Sequence, residues 1–527
     1  MLKFLNYICI ILICALTSCS ENINEKKVVS YNTLINVTST NPKAIEFYRK
    51  AKLHLIDQEY IEAKESYLSA LRLDPNMFMS LLEINESNGV LARNYKRKAA
   101  ENLEKANQFE KIFYEYDKLS FNSSDRKKKQ ELSKKIIEIY PDKVDGYLML
   151  GLSFRSSNDE SAAEAIKSFE KALEIDPENI EVRYQVMRYT YGGSNRTYKL
   201  KTDIEFFDSF DVMAKSLISK FPKSLRIKSS TAAIYRNAYN FSDEKRIEMS
   251  KKLYDDCLEI VNSNGSSFKI NLLNNVAKLN LQMGNTDEAY NLYQSNIDLS
   301  TTNYQIINSY FRFFLAKLYD GDYLNAIRKI NEFQNNFNDL NLTDEQVLKC
   351  MVGLSNYKAI IFAHANQKER ALEALNSYKL YANQLIKFYG FNDNIDSQFK
   401  SLSAPGFLRW KEASPRAQLW HEIWINMMVG NYEIAESLQN KFENTFGERL
   451  TYWDGILNVL QGNTEKGYNI LESNTFGYMQ YFKSQALISL GEKEKAKSVL
   501  DSIRQLPDSN IYNNLIVKRS SDLYQTL

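Results

Sequence analysis

The chain predicts an all-α fold, a solenoid of stacked helical hairpins, and three observations carry that expectation. The first is the stretch from Gly146 to Pro177, where Tyr147, Leu150 and Phe154, then Phe169 and Leu173, recur at helical spacing on two segments joined by a polar break. Gly151 is placed to face the small Ala165 and Ala172, which lets the two helices pack closely. Pro177 ends the second helix, because it lacks an N–H and crowds the preceding turn. The second observation is recurrence of a turn followed by a small residue: Gly284-Asn285 with Ala289, Gly321-Asp322-Tyr323 with Ala326, Gly430-Asn431-Tyr432 with Ala435, Gly462-Asn463 with Gly467, and Gly491-Glu492 with Ala496. Asn366-Gln367 with Ala371 joins the series. The third is punctuation: 8 Pro and 18 Gly in 527 residues are too few for an all-β fold with its many tight turns. A single hairpin cannot bury its own apolar face, so each needs a copy on either side.

The spacing resembles the tetratricopeptide repeat, a helix-turn-helix unit of about 34 residues. Ala44 to Asn76 carries Phe47, Ala51, Ala63, Tyr67, Ala70, Leu71 and Pro75 in the family's pattern, with His54 where an aromatic is usual. Val144 to Pro177 keeps the same pattern with a slightly longer turn. The resemblance implies that Ala51, Ala63, Tyr67, Ala70, Pro75, Gly151, Ala165, Phe169, Ala172 and Pro177 are repeat-packing positions. It further implies a right-handed superhelix whose concave face receives a peptide or a partner domain, a binding scaffold and not an enzyme.

Taken in order, residues 1–18 have the form of an export signal: Lys3, then an apolar run from Ile8 to Leu16 too short to span a bilayer, which needs about 20 apolar residues. Leu16-Thr17-Ser18-Cys19 is similar to the bacterial lipobox, in which the cysteine is acylated and becomes the first mature residue. Ser20 after it resembles lipoproteins sorted to an outer membrane. This implies a cell-envelope protein anchored through Cys19, with residues 19–43 as a flexible polar tether. Residues 44–191 form the most regular repeats, including one long charged helix near Tyr95 to Leu119. Gly192-Gly193-Ser194-Asn195 is a loop. Residues 192–527 hold divergent repeats, with a helix from Asp203 to Phe221 and another beginning at the capping-box sequence Thr343-Asp-Glu-Gln346. Gly390, Pro405, Gly406 and Pro415 interrupt the rhythm, which marks an inserted loop at 389–416. Trp410, Trp420 and Trp424 lie in or just after it. They either pack the loop onto the helices or form an aromatic platform for a peptide or sugar ring. The platform belongs to the alternative function, an outer-membrane glycan- or nutrient-binding lipoprotein partnering a transporter.

Charge and motif content exclude several functions. Sixty-seven basic residues against 65 acidic ones leave no basic excess of the kind that phosphate-backbone binding requires, so nucleic acid is not an expected partner. The run Arg126-Lys127-Lys128-Lys129 has the form of a solvated helix face. His54, His364 and His421 are far apart, and no His or Cys pair has metal-ligand spacing. No nucleophile elbow, phosphate loop or zinc-protease motif occurs, so neither cofactor, metal nor catalytic residue is nominated. With Cys9 and Cys14 removed in the signal, Cys257 and Cys350 are expected as buried free thiols.

Overall fold

The structure, a computed structural model, describes residues 33–527 apart from 85, 87–88, 120–122, 155–158, 193, 239–243, 341, 391–412, 475, 505 and 507–510. The signal sequence, Cys19, Trp410 and most of the inserted loop therefore lie outside the described residues. Helices account for nearly all the regular structure. In chain order they are α1 (Pro42–Ile56), α2 (Tyr60–Leu73), α3 (Phe78–Glu83), α4 (Gly89–Glu101), α5 (Gln108–Lys118), α6 (Ser123–Ile139), α7 (Val144–Ser153), α8 (Asp159–Ile175) and α9 (Ile180–Tyr191). There follow α10 (Ser194–Thr202), α11 (Ile204–Lys220), α12 (Leu225–Asn237), α13 (Glu244–Asn264), α14 (Lys269–Gln282), α15 (Thr286–Leu299), α16 (Asn303–Tyr319), α17 (Tyr323–Asn335), α18 (Asp344–His364) and α19 (Lys368–Phe388). The chain closes with α20 (Pro415–Met428), α21 (Tyr432–Phe446), α22 (Thr451–Leu460), α23 (Thr464–Leu471), α24 (Gly477–Ser489), α25 (Lys493–Arg504) and α26 (Ile511–Thr526). Successive helices pair as hairpins and stack on the next pair, which makes the fold an all-α solenoid.

The recurring turn has one geometry. Gly284, Gly321, Gly430, Gly462 and Gly491 all have φ near +80°, and Asn366 and Gln58 occupy the same left-handed region at 56° and 60°. In each case the next residue's N–H reaches back five residues, as Asn431 does to the Asn426 carbonyl at 2.8 Å and Glu59 to the His54 carbonyl at 2.9 Å. This is the Schellman closure, which satisfies carbonyls left open at a helix end. Five positions after the left-handed residue stands the small one: Ala63, Ala289, Ala326, Ala371, Ala435 and Ala496 are at most 1 % exposed. The chain reverses at a fixed place and a methyl-sized side chain then meets the preceding helix.

Packing refines the first hairpin read from sequence. Ala51, Ala63, Tyr67, Ala70, Ala165, Phe169 and Ala172 are all fully buried, and Pro75 and Pro177 follow the helix ends at Leu73 and Ile175. What Gly151 meets first is Phe169: a Cβ there would stand 2.2 Å from Cε1 of the ring. The absent side chain makes room for an aromatic.

Other expectations change. The long helix near Tyr95 to Leu119 is two helices. α4 ends at Glu101, a 3-10 turn spans Leu103–Lys105, and Asn107 opens α5 through a capping box, accepting from Glu110 N at 2.9 Å while Glu110 Oε2 accepts from Asn107 N at 2.8 Å. The basic run is not uniformly solvated: Lys127 and Lys128 are exposed, but Lys129 turns inward, donates to the Tyr116 carbonyl at 2.9 Å and sits 3.8 Å from the centre of that ring. Burial lowers its pKa to about 8. Cys257 and Cys350 are buried free thiols.

The solenoid curves until distant repeats touch. Arg226, in α12, reaches the carbonyl oxygens of Leu55 and Ile56 at 3.4 Å each, and Ser267 N donates to Glu62 Oε1 at 2.7 Å. The first turn of the superhelix thus meets its own start. In the second half α26 folds back across α16 and α18. Asn514 Nδ2 donates to the Leu315 carbonyl at 2.8 Å, Tyr323 Oη to the Leu515 carbonyl at 3.1 Å, and Arg519 to the His364 carbonyl.

Candidate functional site

The two halves offer different inner faces. In the second half that face is filled. His364, Trp424, Tyr478 and Tyr512 stack against one another, with His364 Nε2 3.0 Å from Tyr478 Oη and the Trp424 and Tyr512 ring centres 5.7 Å apart. His421 lies 5.0 Å from the Trp420 ring centre, its Nε2 3.2 Å from Asn356 Nδ2 and its Nδ1 3.4 Å from Tyr512 Oη. Two histidines that the sequence keeps 57 positions apart thus belong to one aromatic cluster, joined through Trp424 and Tyr512, and both are buried. Burial holds both imidazoles below their ordinary pKa, His421 at about 3. Trp424 is 0 % exposed, and Trp420 gives its Nε1–H to Tyr452 Oη at 3.0 Å. Of the two readings offered for these tryptophans, packing holds for Trp424, which Tyr478 of α24 and Tyr512 of α26 cover, while Trp420 is half-buried against Trp453 and Tyr512.

In the first half the inner face is open. Helices α1, α3, α5, α7 and α9, the leading helices of successive hairpins, line it with Arg226 of α12, enclosing a cavity of about 1040 Å³. Its wall is mixed. Leu53, Leu148, Leu152, Phe109, Phe113 and Phe154 supply apolar surface, while Arg49, Lys52, Arg126 and Arg188 stand beside Glu83, Asp145 and Glu181. Lys52 Nζ pairs with Glu83 Oε1 at 2.7 Å and Tyr48 Oη donates to Glu83 Oε2 at 2.6 Å. Arg226 pairs with Glu181 at 3.3 Å.

The same face holds part of the stretch expected to be a tether. From Thr33 onward that expectation is wrong: residues 33–40 lie along the groove. Ile35 and Val37 are buried while Asn36 and Thr38 are exposed, and this period-two alternation is that of an extended chain with one face packed. The Ile35 N–H donates to Asp145 Oδ2 at 2.8 Å and the Thr38 N–H to Glu110 Oε1 at 2.8 Å. Ser39 Oγ donates to Asp74 Oδ2 at 2.6 Å and Thr33 Oγ1 to Asp176 Oδ2 at 3.2 Å. Asn107 Nδ2 donates to the Asn36 carbonyl at 2.8 Å. Burial raises the Asp145 carboxyl to about 6, against the Ile35 N–H and the Lys52 charge, which act in the other direction.

The four acids arise at equivalent places. Asp74 and Asp176 cap α2 and α8 immediately before Pro75 and Pro177, and each keeps its Oδ1 for the turn, accepting from Asn76 N at 3.1 Å and Glu178 N at 3.3 Å. Proline keeps the preceding Asp out of the helical region, which aims its other oxygen into the groove. Glu110 and Asp145 stand in the first turns of α5 and α7. No expectation drawn from sequence singled these residues out, although the repeated Asp-Pro pair was a visible signal. Among the described residues no group of three or more His, Cys, Asp or Glu is placed to hold a metal ion.

A tetratricopeptide-repeat family model matches residues 47–77 and 144–179. A search of curated proteins returns no match. Among solved structures, the chain is similar to the APC/C hetero-tetramer Cut9-Hcn1, at 13 % identity over 91 % of this chain and 76 % of that one, TM-score 0.34. It is also similar to the human IFIT1 dimer with m7Gppp-AAAA, at 14 % identity over 89 % and 91 %, TM-score 0.32, and to yeast Tom70, at 12 % over 92 % and 96 %, TM-score 0.27. The chain is an all-helical repeat solenoid that carries tetratricopeptide repeats at residues 47–77 and 144–179.

Proposed function

We propose that the protein is a non-enzymatic scaffold of the cell envelope, anchored to an outer membrane through acylated Cys19, and that its N-terminal groove binds a segment of a protein partner. The observation that carries the reading is the seating of residues 33–40, whose backbone and hydroxyl donors are held by carboxylates from the first, third and fourth hairpins. The groove has the chemistry to hold extended chain. Anchorage rests on Lys3, the apolar run Ile8 to Leu16 and the Leu16-Thr17-Ser18-Cys19 sequence. Among the described residues no helix is long and apolar enough to cross a membrane, so a lipid on Cys19 is the anchor this reading needs.

Two experiments test it. Cells fed a labelled fatty acid should transfer label to the wild-type chain and not to Cys19→Ala. A photo-crosslinking residue at Phe113, on the groove wall, should capture a protein partner in intact cells, whereas one at the outward-facing Ile204 should not. Capture from Ile204 with none from Phe113 would overturn the groove as the binding face.

A further inference from the structure

Residues 33–40 are not an ordinary connection between the membrane-proximal sequence and α1. They run against the order of the hairpins: Ser39 meets Asp74 after the first, Thr38 meets Glu110 of the third, Ile35 meets Asp145 of the fourth, and Thr33 meets Asp176 at the end of the fourth. Six positions of chain, from Ser39 to Thr33, carry these contacts from the end of the first hairpin to the end of the fourth. Glu110 is 0 % exposed and Asp176 5 %, so acid oxygens sit away from water to meet donors that this segment supplies. Ile35 and Val37 fill the apolar positions between them.

We propose that residues 33–40 are a built-in occupant of the groove, and that a partner segment of the same chemistry displaces them. Such a segment is extended, rich in Ser and Thr, carries β-branched aliphatic residues at alternate positions and has no carboxylate. The proposal rests on the groove being the partner site, as read above. Three features favour displacement over a permanent seat. The contacts run to side chains, and among the described residues no strand ladder holds the segment. The occupied groove retains a cavity of about 1040 Å³ into which Leu34, Ile35 and Val37 face, so the segment underfills its site. The segment also precedes α1, so its departure requires no helix to unfold. A carboxylate is disfavoured at the places taken by Thr33, Ile35, Thr38 and Ser39, because it would face Asp176, Asp145, Glu110 or Asp74.

A tethered occupant competes at an effective concentration in the millimolar range, so it masks the site against a ligand of similar intrinsic affinity. The test uses the full chain and a fluorescein-labelled octapeptide with the sequence of residues 33–40. In the double variant Ile35→Asp, Val37→Asp the internal segment is repelled and its apolar contacts are lost. That chain should bind the peptide roughly 100-fold more tightly than wild type. Adding Asp145→Ala should then weaken binding. A folded double variant that does not bind the peptide overturns the proposal. So does a double variant that fails to fold, or wild-type hydrogen exchange in which the Ile35 and Thr38 amides open only together with α1 and α7. A partner captured at Phe113 in cells alongside any of these failures would leave the groove as a binding face and remove only its self-occupancy.

Discussion

The ring of Phe169 occupies the space that a side chain at Gly151 would need, with Cε1 2.2 Å from the position of the missing methyl carbon. The contact joins α7 to α8 inside one repeat, and it cannot relax by moving a flexible tip, because Phe169 is fully buried and its ring centre lies 5.2 Å from that of Tyr189. Gly151→Ala should therefore destabilise by about 1–3 kcal/mol through overpacking, read as a shift of the urea midpoint at unchanged slope. Phe169→Leu on the same chain should recover part of the loss, and simple addition of the two effects would contradict a direct contact.

Ala172, also 0 % exposed on α8, tests the same packing by charge. Ala172→Glu buries an unpaired carboxylate where a methyl group fits and should cost on the order of 3–5 kcal/mol. Unchanged thermal unfolding would contradict the placement.

The repeated turn predicts a pair of opposite effects. Gln58 holds φ at +60°, where an L side chain is strained, so Gln58→Gly should stabilise by roughly 0.5–1 kcal/mol once the extra freedom of glycine in the unfolded chain is subtracted. Gly430 holds φ at +80° with open space where a Cβ would stand, so Gly430→Ala should cost about 1–2 kcal/mol from backbone strain alone. Calorimetry on the two variants gives the signs directly.

Much of this was legible in the sequence, and the reasons are local. A left-handed turn needs glycine or a tolerant residue, and a close helix contact needs alanine, so both leave marks at fixed offsets, as Gly430 and Ala435 do. The break at Asn102 was missed because charged residues of high helical propensity run through it; the capping box at Asn107 and Glu110 was the sign that a new helix begins. The groove acids were missed for a different reason. Whether Asp145 faces water or another segment depends on where Ile35 sits, 110 residues earlier, and no local pattern encodes that. The tryptophans near the inserted loop gave no direction either: Trp424 is core because His364, Tyr478 and Tyr512 of α18, α24 and α26 close on it.

The two buried histidines set an acid limit on stability. A group whose folded pKa lies below its unfolded value of about 6.5 contributes fully above that pH, and the contribution is lost as pH falls toward the folded pKa, which for His421 is about 3. His421 should remove about 1.4 kcal/mol per pH unit between roughly pH 6 and 4, and His364 acts in the same direction. Asp145 acts oppositely, since its folded pKa of about 6 exceeds the unfolded value near 3.9, so protonation across the same window favours the folded chain. His421→Gln, which can still bond to Asn356, should flatten the net acid slope in urea titrations at several pH values. Identical slopes for the two chains would mean that His421 is not held neutral by burial.

The clasp of Glu62 on Ser267 and of Arg226 on the Leu55 and Ile56 carbonyls alters how the array comes apart. A linear stack can fray from its termini one unit at a time, since each unit knows only its neighbours. Here α1 and α2 are clipped to units some 170–205 positions downstream, and α26 is threaded among α16, α18 and α24, so neither end of the described array is free to peel. Melting is then expected in large cooperative blocks, and damage to one clip should loosen repeats on the far side of the coil before it loosens those next along the chain.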